Sequence, residues 1–213
     1  MELENNNSNL LRKSFLWMFL GLLVTGLVSV FVLSNTNLLI ALIDMNMILL
    51  LIELFVVFYF SLRINKLSVG TAKTLFLSYA VLNGLTLSPI FYIYELGSVI
   101  SVFFGAAGLF LILGVIGVNT KKDLSGFGPV LFSALIIGII LSLINMFLQN
   151  PVMDLYICWG ILILFCGITI YDINKIRKSN YDDEKAPIYF ALELYLDFIN
   201  IFIKLLRLFG DRK

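Results

Sequence analysis

Long apolar runs alternate with short polar breaks along the whole chain. The runs cover residues 15–33, 46–62, 74–94, 99–118, 130–148 and 155–171, and a seventh extends from 188 to 210. Each is close to the roughly 20 residues that an α-helix needs to cross a bilayer core. The pattern predicts an all-α integral membrane protein with seven helices. Short connections favour antiparallel neighbours. The first run follows Arg12 and Lys13, is too long for a signal-peptide core and lacks a clear small-residue cleavage site, so it reads as a retained helix. Residues 1–11 are polar, with ENNNSN among them. They read as a disordered tail ahead of a single transmembrane helical domain over residues 12–213.

The breaks differ in charge. Arg12 and Lys13 precede the first run. Arg63, Lys66 and Lys73 lie between the second and third, Lys121 and Lys122 between the fourth and fifth, and Lys175, Arg177, Lys178 and Lys185 between the sixth and seventh. The alternate breaks carry only Asp44, Glu95 and Asp154, with no Lys or Arg. Basic residues mark cytoplasmic loops, so the N-terminus is expected in the cytoplasm.

The seventh run is not uniformly apolar. Glu193, Asp197, Asn200, Lys204 and Arg207 recur at steps of four, three, four and three. On an α-helix that spacing keeps them on one face. A charge at the bilayer centre costs about 2.5–3.5 kcal/mol on insertion scales. The stripe therefore faces partners or water inside a bundle, or the helix lies flat in the interface. Its acidic half argues against the second arrangement, because surface helices usually turn Lys and Arg toward anionic headgroups. Elsewhere in the spans the ionisable groups are few. Asp172 closes the sixth run, Glu53 sits within the second and Arg63 ends it. Asp172 and Asp197, on consecutive antiparallel segments, are natural partners. Two carboxylates close together in low dielectric resist ionising together and titrate as a unit.

Composition narrows the function. The chain of 213 residues is 60% hydrophobic and 14% charged, with a net charge of +1 and no histidine. Scattered basic residues give no nucleic-acid footprint. Without histidine there is no His-ligated metal, no Ser-His triad and no ordinary neutral-pH switch. Cys158 and Cys166 would lie roughly 12 Å apart along one helix, too far for a disulfide. No G-x-x-x-x-G-K-[ST] loop is present, which argues against an ATP-driven pump. No enzyme chemistry and no tightly bound cofactor are expected. Pro89 in NGLTLSPI should break a backbone bond that nearby hydroxyls can satisfy. Gly105, Gly108, Gly114 and Gly117 read as helix-contact positions.

Four stretches, NGLTLSPI, TKKDLS, YDINKI and ALELYLDFINIFIKLLRLFG, occur in that order. Together they resemble the signature stretches of the Bax inhibitor-1, or transmembrane Bax inhibitor motif, family. The likeness runs from Arg12 over nearly the whole chain. It implies a seven-helix bundle with the C-terminal helix central and six helices around it. The bacterial members are described as pH-sensitive calcium leak proteins, with an aspartate pair as proton sensor and an arginine as latch. By this resemblance Asp172 and Asp197 match the aspartates, Arg63 the latch by its place at the end of the second helix, and Glu53 an acidic residue linked to the calcium path. The stripe would then face an internal polar path, with Glu193 and Asn200 as further candidates along it.

The expected activity is a passive Ca2+ flux gated by protonation of Asp172 and Asp197, which are also weak Ca2+ ligands. Calcium takes several oxygen ligands, and few carboxylates are on hand, so binding should be weak and partly hydrated. Two alternatives stand beside it: a proton-coupled secondary transporter, and a non-transporting regulator that binds another membrane protein such as a protease or a death-pathway component. The partners expected are the lipid bilayer, Ca2+ and protons, and the setting a bacterial plasma (inner) membrane.

Overall fold

A computed structural model describes the backbone of residues 2–63, 66–179 and 183–213, and side chains from Ser8 onward except Ser61. Within these residues lie α1 (Glu2–Leu33), α2 (Thr36–Arg63), α3 (Val69–Ile93), α4 (Leu96–Asn119), α5 (Gly128–Leu148), α6 (Pro151–Lys178) and α7 (Ala186–Phe209), with a 3-10 turn at Ser125–Phe127. All seven helices are long and apolar enough to cross a membrane. Large apolar side chains point outward along them: Leu27 is 71% exposed, Phe104 69% and Phe147 81%. In water such a surface would aggregate; in lipid it is the solvated face. The protein is a multi-pass membrane protein. α7 is the most enclosed helix, with 67% of an 18-residue apolar stretch buried against 17% for α2 and 6% for α5.

The helices outrun the apolar runs that announce them. α2 begins at Thr36, capped by the Asn35 side chain accepting from Leu38 N at 3.2 Å. Asp44, expected in a loop, is an exposed residue inside that helix. Its flanks, Leu38 to Ile43 and Met45 to Leu51, are apolar enough to carry one surface acid through. α6 likewise continues past Tyr171 to Lys178, which puts Asp172 inside a helix rather than at its end. Asp154, also expected in a loop, lies in the first turn of α6, after the Asn150 cap. There it complements the helix dipole. Residues 1–11 were expected to be a tail; their backbone from Glu2 is continuous with α1, while the side chains of residues 1–7 lie outside the described set. The connections at 34–35, 94–95 and 149–150 are two residues each and carry no Lys or Arg.

The chain forms two compact units. One holds α1, α2, α3, α7 through Tyr195, and residues 212–213; the other holds α4, α5, α6 and α7 from Leu196. In the first, Val32 of α1, Leu39, Leu42 and Leu49 of α2, and Leu82 and Leu85 of α3 form an apolar cluster. α1 and α3 meet at Gly84, where a Cβ would fall 2.7 Å from the Thr25 carbonyl oxygen and 2.8 Å from Val28 Cβ. Ser29 Oγ donates to the Gly84 carbonyl at 2.9 Å. Pro89 lacks the N–H that would reach the Leu85 carbonyl, and Ser88 Oγ donates there instead at 2.7 Å.

In the second unit α4 and α6 meet at Gly117, where a Cβ would come within 2.9 Å of Ile173 Cβ. Gly114 also touches Ile173. Gly105 and Gly108 have nothing within 4 Å, so the expected glycine contact holds only for the last two of the four. Phe198 of α7 meets Phe103 and Phe110 of α4 edge-on, with centroids 5.4 and 5.5 Å apart. The C-terminal end of α6 caps the C-terminal end of α4. Asn174 Nδ2 donates to Thr120 O at 2.8 Å, Arg177 donates to Val118 O, and Lys178 Nζ donates to Lys121 O at 3.0 Å. These are carbonyls that a helix end leaves without intrahelical donors. In the adjoining loop Asp123 accepts from Ser125 N at 2.9 Å, which holds its carboxyl below the usual carboxylate range. Asn174→Leu should remove the amide donor from the Thr120 and Gly117 carbonyls and lower stability by about 1–3 kcal/mol. A thermal midpoint in detergent equal to wild type would contradict this.

Candidate functional site

A buried polar network crosses the first unit. It takes Thr25 from α1, Glu53 from α2, Asn83 from α3 and Tyr195 from α7. All four are buried, at 3%, 8%, 6% and 0% exposure. Tyr79, Asn83 and Thr86 follow one another at steps of four and three, so α3 turns a single polar face inward. Thr25 Oγ1 and Tyr195 Oη are 2.6 Å apart. Tyr195 donates to Asn83 Oδ1 at 3.1 Å, and Asn83 Nδ2 donates to Glu53 Oε1 at 3.3 Å. Thr86, on the same face of α3, donates its hydroxyl to Leu82 O at 3.1 Å. The Tyr195 ring is held edge-on by Phe76 and Tyr79, each 5.9 Å away.

Burying a carboxylate without donors or a counter-charge is costly. Asn83, which donates to Glu53, is neutral and brings no counter-charge.

The aspartates expected as a pair both belong to the second unit. Asp172 on α6 is 7% exposed and Asp197 on α7 is 3% exposed. Each is engaged by neighbouring groups. The rest of the stripe is graded. Glu193, Asn200 and Lys204 are half-buried, and Arg207 is exposed. Asn200 Nδ2 donates to its own helix at Leu196 O, 2.8 Å away. Arg207 pairs with Asp154 at the start of α6. That pair is well exposed, so Arg207→Ala should shift stability by less than about 1 kcal/mol, read as a thermal midpoint in detergent close to wild type. A large drop would show the pair to be structural.

Arg63, expected as the latch, is exposed in the last turn of α2, where a long basic side chain can reach the headgroup region. Cys158 and Cys166 are both free. Among the described residues no three Cys, Asp or Glu side chains are grouped so that they could hold a metal ion.

Reading the sequence missed Thr25, Tyr79 and Tyr195. A hydroxyl inside an apolar run is a weak signal, since Thr and Tyr sit in lipid-facing and packed positions alike. The available clue was the company of Asn83 and Glu53, two strongly polar residues in neighbouring spans.

Comparison with known proteins places the whole chain. The family described as "Inhibitor of apoptosis-promoting Bax1" matches residues 7–213. This protein belongs to the Bax inhibitor-1 family. It is 38% identical over 209 residues to the inner membrane protein YbhL of Escherichia coli K12, covering 92% of this chain and 89% of that one. A Borreliella burgdorferi protein is 38% identical over 214 residues, covering 95% and 92% of the two chains. A membrane protein of Streptococcus pyogenes serotype M3 is 39% identical over 166 residues, covering 75% and 72%. The Bax inhibitor-1 match spans all seven helices, so both buried acidic sites lie within the family region.

Proposed function

We propose that this Bax inhibitor-1 family protein is a pH-sensitive calcium leak of a bacterial inner membrane, with its N-terminus cytoplasmic. Ca2+ passes down its gradient, and protonation of Asp172 and Asp197 gates the path. The observation that carries the reading is the burial of both aspartates on membrane-spanning helices of the same unit. A carboxylate held out of water changes its interactions strongly when it gains or loses a proton. Lys175 and Arg177 on α6, and Glu193, Lys204 and Arg207 on α7, share those helices and set the field in which the aspartates titrate. In the first unit, Glu53 is a buried acid that accepts from the neutral Asn83 amide, a group with which a cation can exchange part of its water shell. Arg63, exposed at the end of α2, would act as a latch only by moving inward. Purified protein in calcium-loaded liposomes tests the proposal. Passive flux that responds to pH without any imposed proton gradient supports it. Flux that requires a proton gradient, or none at any pH, overturns it.

A further inference from the structure

The hydrogens of the Glu53 network can be placed by counting. Tyr195 has one hydroxyl hydrogen and donates it to Asn83 Oδ1. The 2.6 Å contact with Thr25 then takes the Thr25 hydrogen, which leaves the Gly21 and Ala80 carbonyls that the same hydroxyl reaches. The Asn83 amide, with its oxygen facing Tyr195, turns its N–H toward Glu53. The chain therefore runs one way, Thr25 to Tyr195 to Asn83 to Glu53, and ends on the carboxylate.

A second arrangement of the same atoms exists. If the Asn83 amide turned over, its oxygen would face Glu53, and Glu53 would need a proton to satisfy it. Tyr195 would then accept from Asn83 and donate to Thr25. Thr25 would in turn donate to the Ala80 carbonyl at 2.9 Å or the Gly21 carbonyl at 3.0 Å. What separates the two arrangements is which end of the amide Tyr195 holds. The amide also interrupts proton hopping, so the chain orients groups rather than conducting protons.

We propose that Tyr195 is a positioning residue for Glu53: by donating to Asn83 Oδ1, with Thr25 behind it, its hydroxyl fixes the amide so that an N–H meets a cation-accepting carboxylate. The role of that carboxylate in the ion path rests on the leak reading above; the orienting role does not. Tyr79 flanks the chain, its ring edge-on to that of Tyr195 at 5.9 Å, whereas Tyr195 brings the last helix into the network.

The test uses the full chain in liposomes. Infrared difference spectra assign the Glu53 carboxyl signal by its loss in Glu53→Gln. In Tyr195→Phe, which keeps the ring and its edge-on contacts, that signal should leave its wild-type frequency. Calcium flux should fall about tenfold, the scale of one net hydrogen bond. Thr25→Val should displace the signal in the same sense. Ser29→Ala is the control: it removes a buried hydroxyl bond between the same α1 and α3 helices, to Gly84 O at 2.9 Å, but lies outside the chain. It should leave signal and flux unchanged. A Glu53 signal unmoved in Tyr195→Phe overturns the inference even if wild-type flux is present. A displaced signal with no flux in any variant upholds the orienting role and rejects the leak reading instead.

Discussion

Calcium-loaded liposomes carrying Asp197→Asn will show a flux that no longer changes with pH. Asparagine keeps nearly the shape of the aspartate and part of its hydrogen bonding, but it cannot titrate. One carboxyl coupled to a closed–open equilibrium shifts that equilibrium by at most about tenfold per pH unit, the equivalent of 1.36 kcal/mol. Wild-type flux should follow pH with that slope or, if both aspartates change together, a steeper one. Asp172→Asn should flatten the profile as well. Because the two groups sit buried in the same unit, their combined variant should resemble either single one rather than sum their effects. The measurement is calcium-indicator fluorescence across several pH values with equal pH on both sides. A variant whose flux keeps the wild-type slope would remove that aspartate from the gate.

The second large effect is structural. Gly84→Ala puts a methyl group 2.7 Å from the Thr25 carbonyl and 2.8 Å from Val28 Cβ. One neighbour is backbone, so relief requires α1 and α3 to separate. Overpacking of this kind costs about 1–3 kcal/mol. Inside a bilayer no water-driven burial offsets it, because close packing is what holds the helices together. For a chain of this size each kcal/mol lowers the thermal midpoint by roughly 2–4 °C. Gly105→Ala, at a helical position with nothing within 4 Å, should leave the midpoint unchanged or raise it slightly. The pair is read by thermal unfolding in one detergent. Equal midpoints for Gly84→Ala and wild type would mean that the close approach of the two helices is not needed.

Hydropathy made the number of helices legible, because crossing a bilayer leaves an apolar run of fixed length. It did not mark the ends. Asp44 and the run from Asp172 to Lys178 looked like loop material because they are polar. A helix continues beyond the hydrocarbon when its far end finds partners, as Asn174 and Arg177 do on the end of α4. The burial of Asp172, Asp197 and Glu53 could be anticipated, since each is an acid in or beside an apolar run. The exposure of Arg63 could not, because the same residue at a helix end can fold inward or reach out. Glycine contacts depend on what the opposite helix presents, so Gly117 and Gly105 look alike in sequence and differ in space. The same limit hid Thr25 and Tyr195, 170 residues apart in the chain and joined by a hydrogen bond.

The enclosure of α7 bears on how the protein is made. This helix is the most enclosed of the seven and carries Glu193, Asp197, Asn200 and Lys204 within its length. Standing alone in lipid, each charged side chain near mid-membrane would cost about 2.5–3.5 kcal/mol. α7 therefore depends on neighbours already in place, and it leaves the ribosome after the six other helices. Insertion and folding become one event at this helix, and a chain whose earlier helices have misassembled has nowhere to put it.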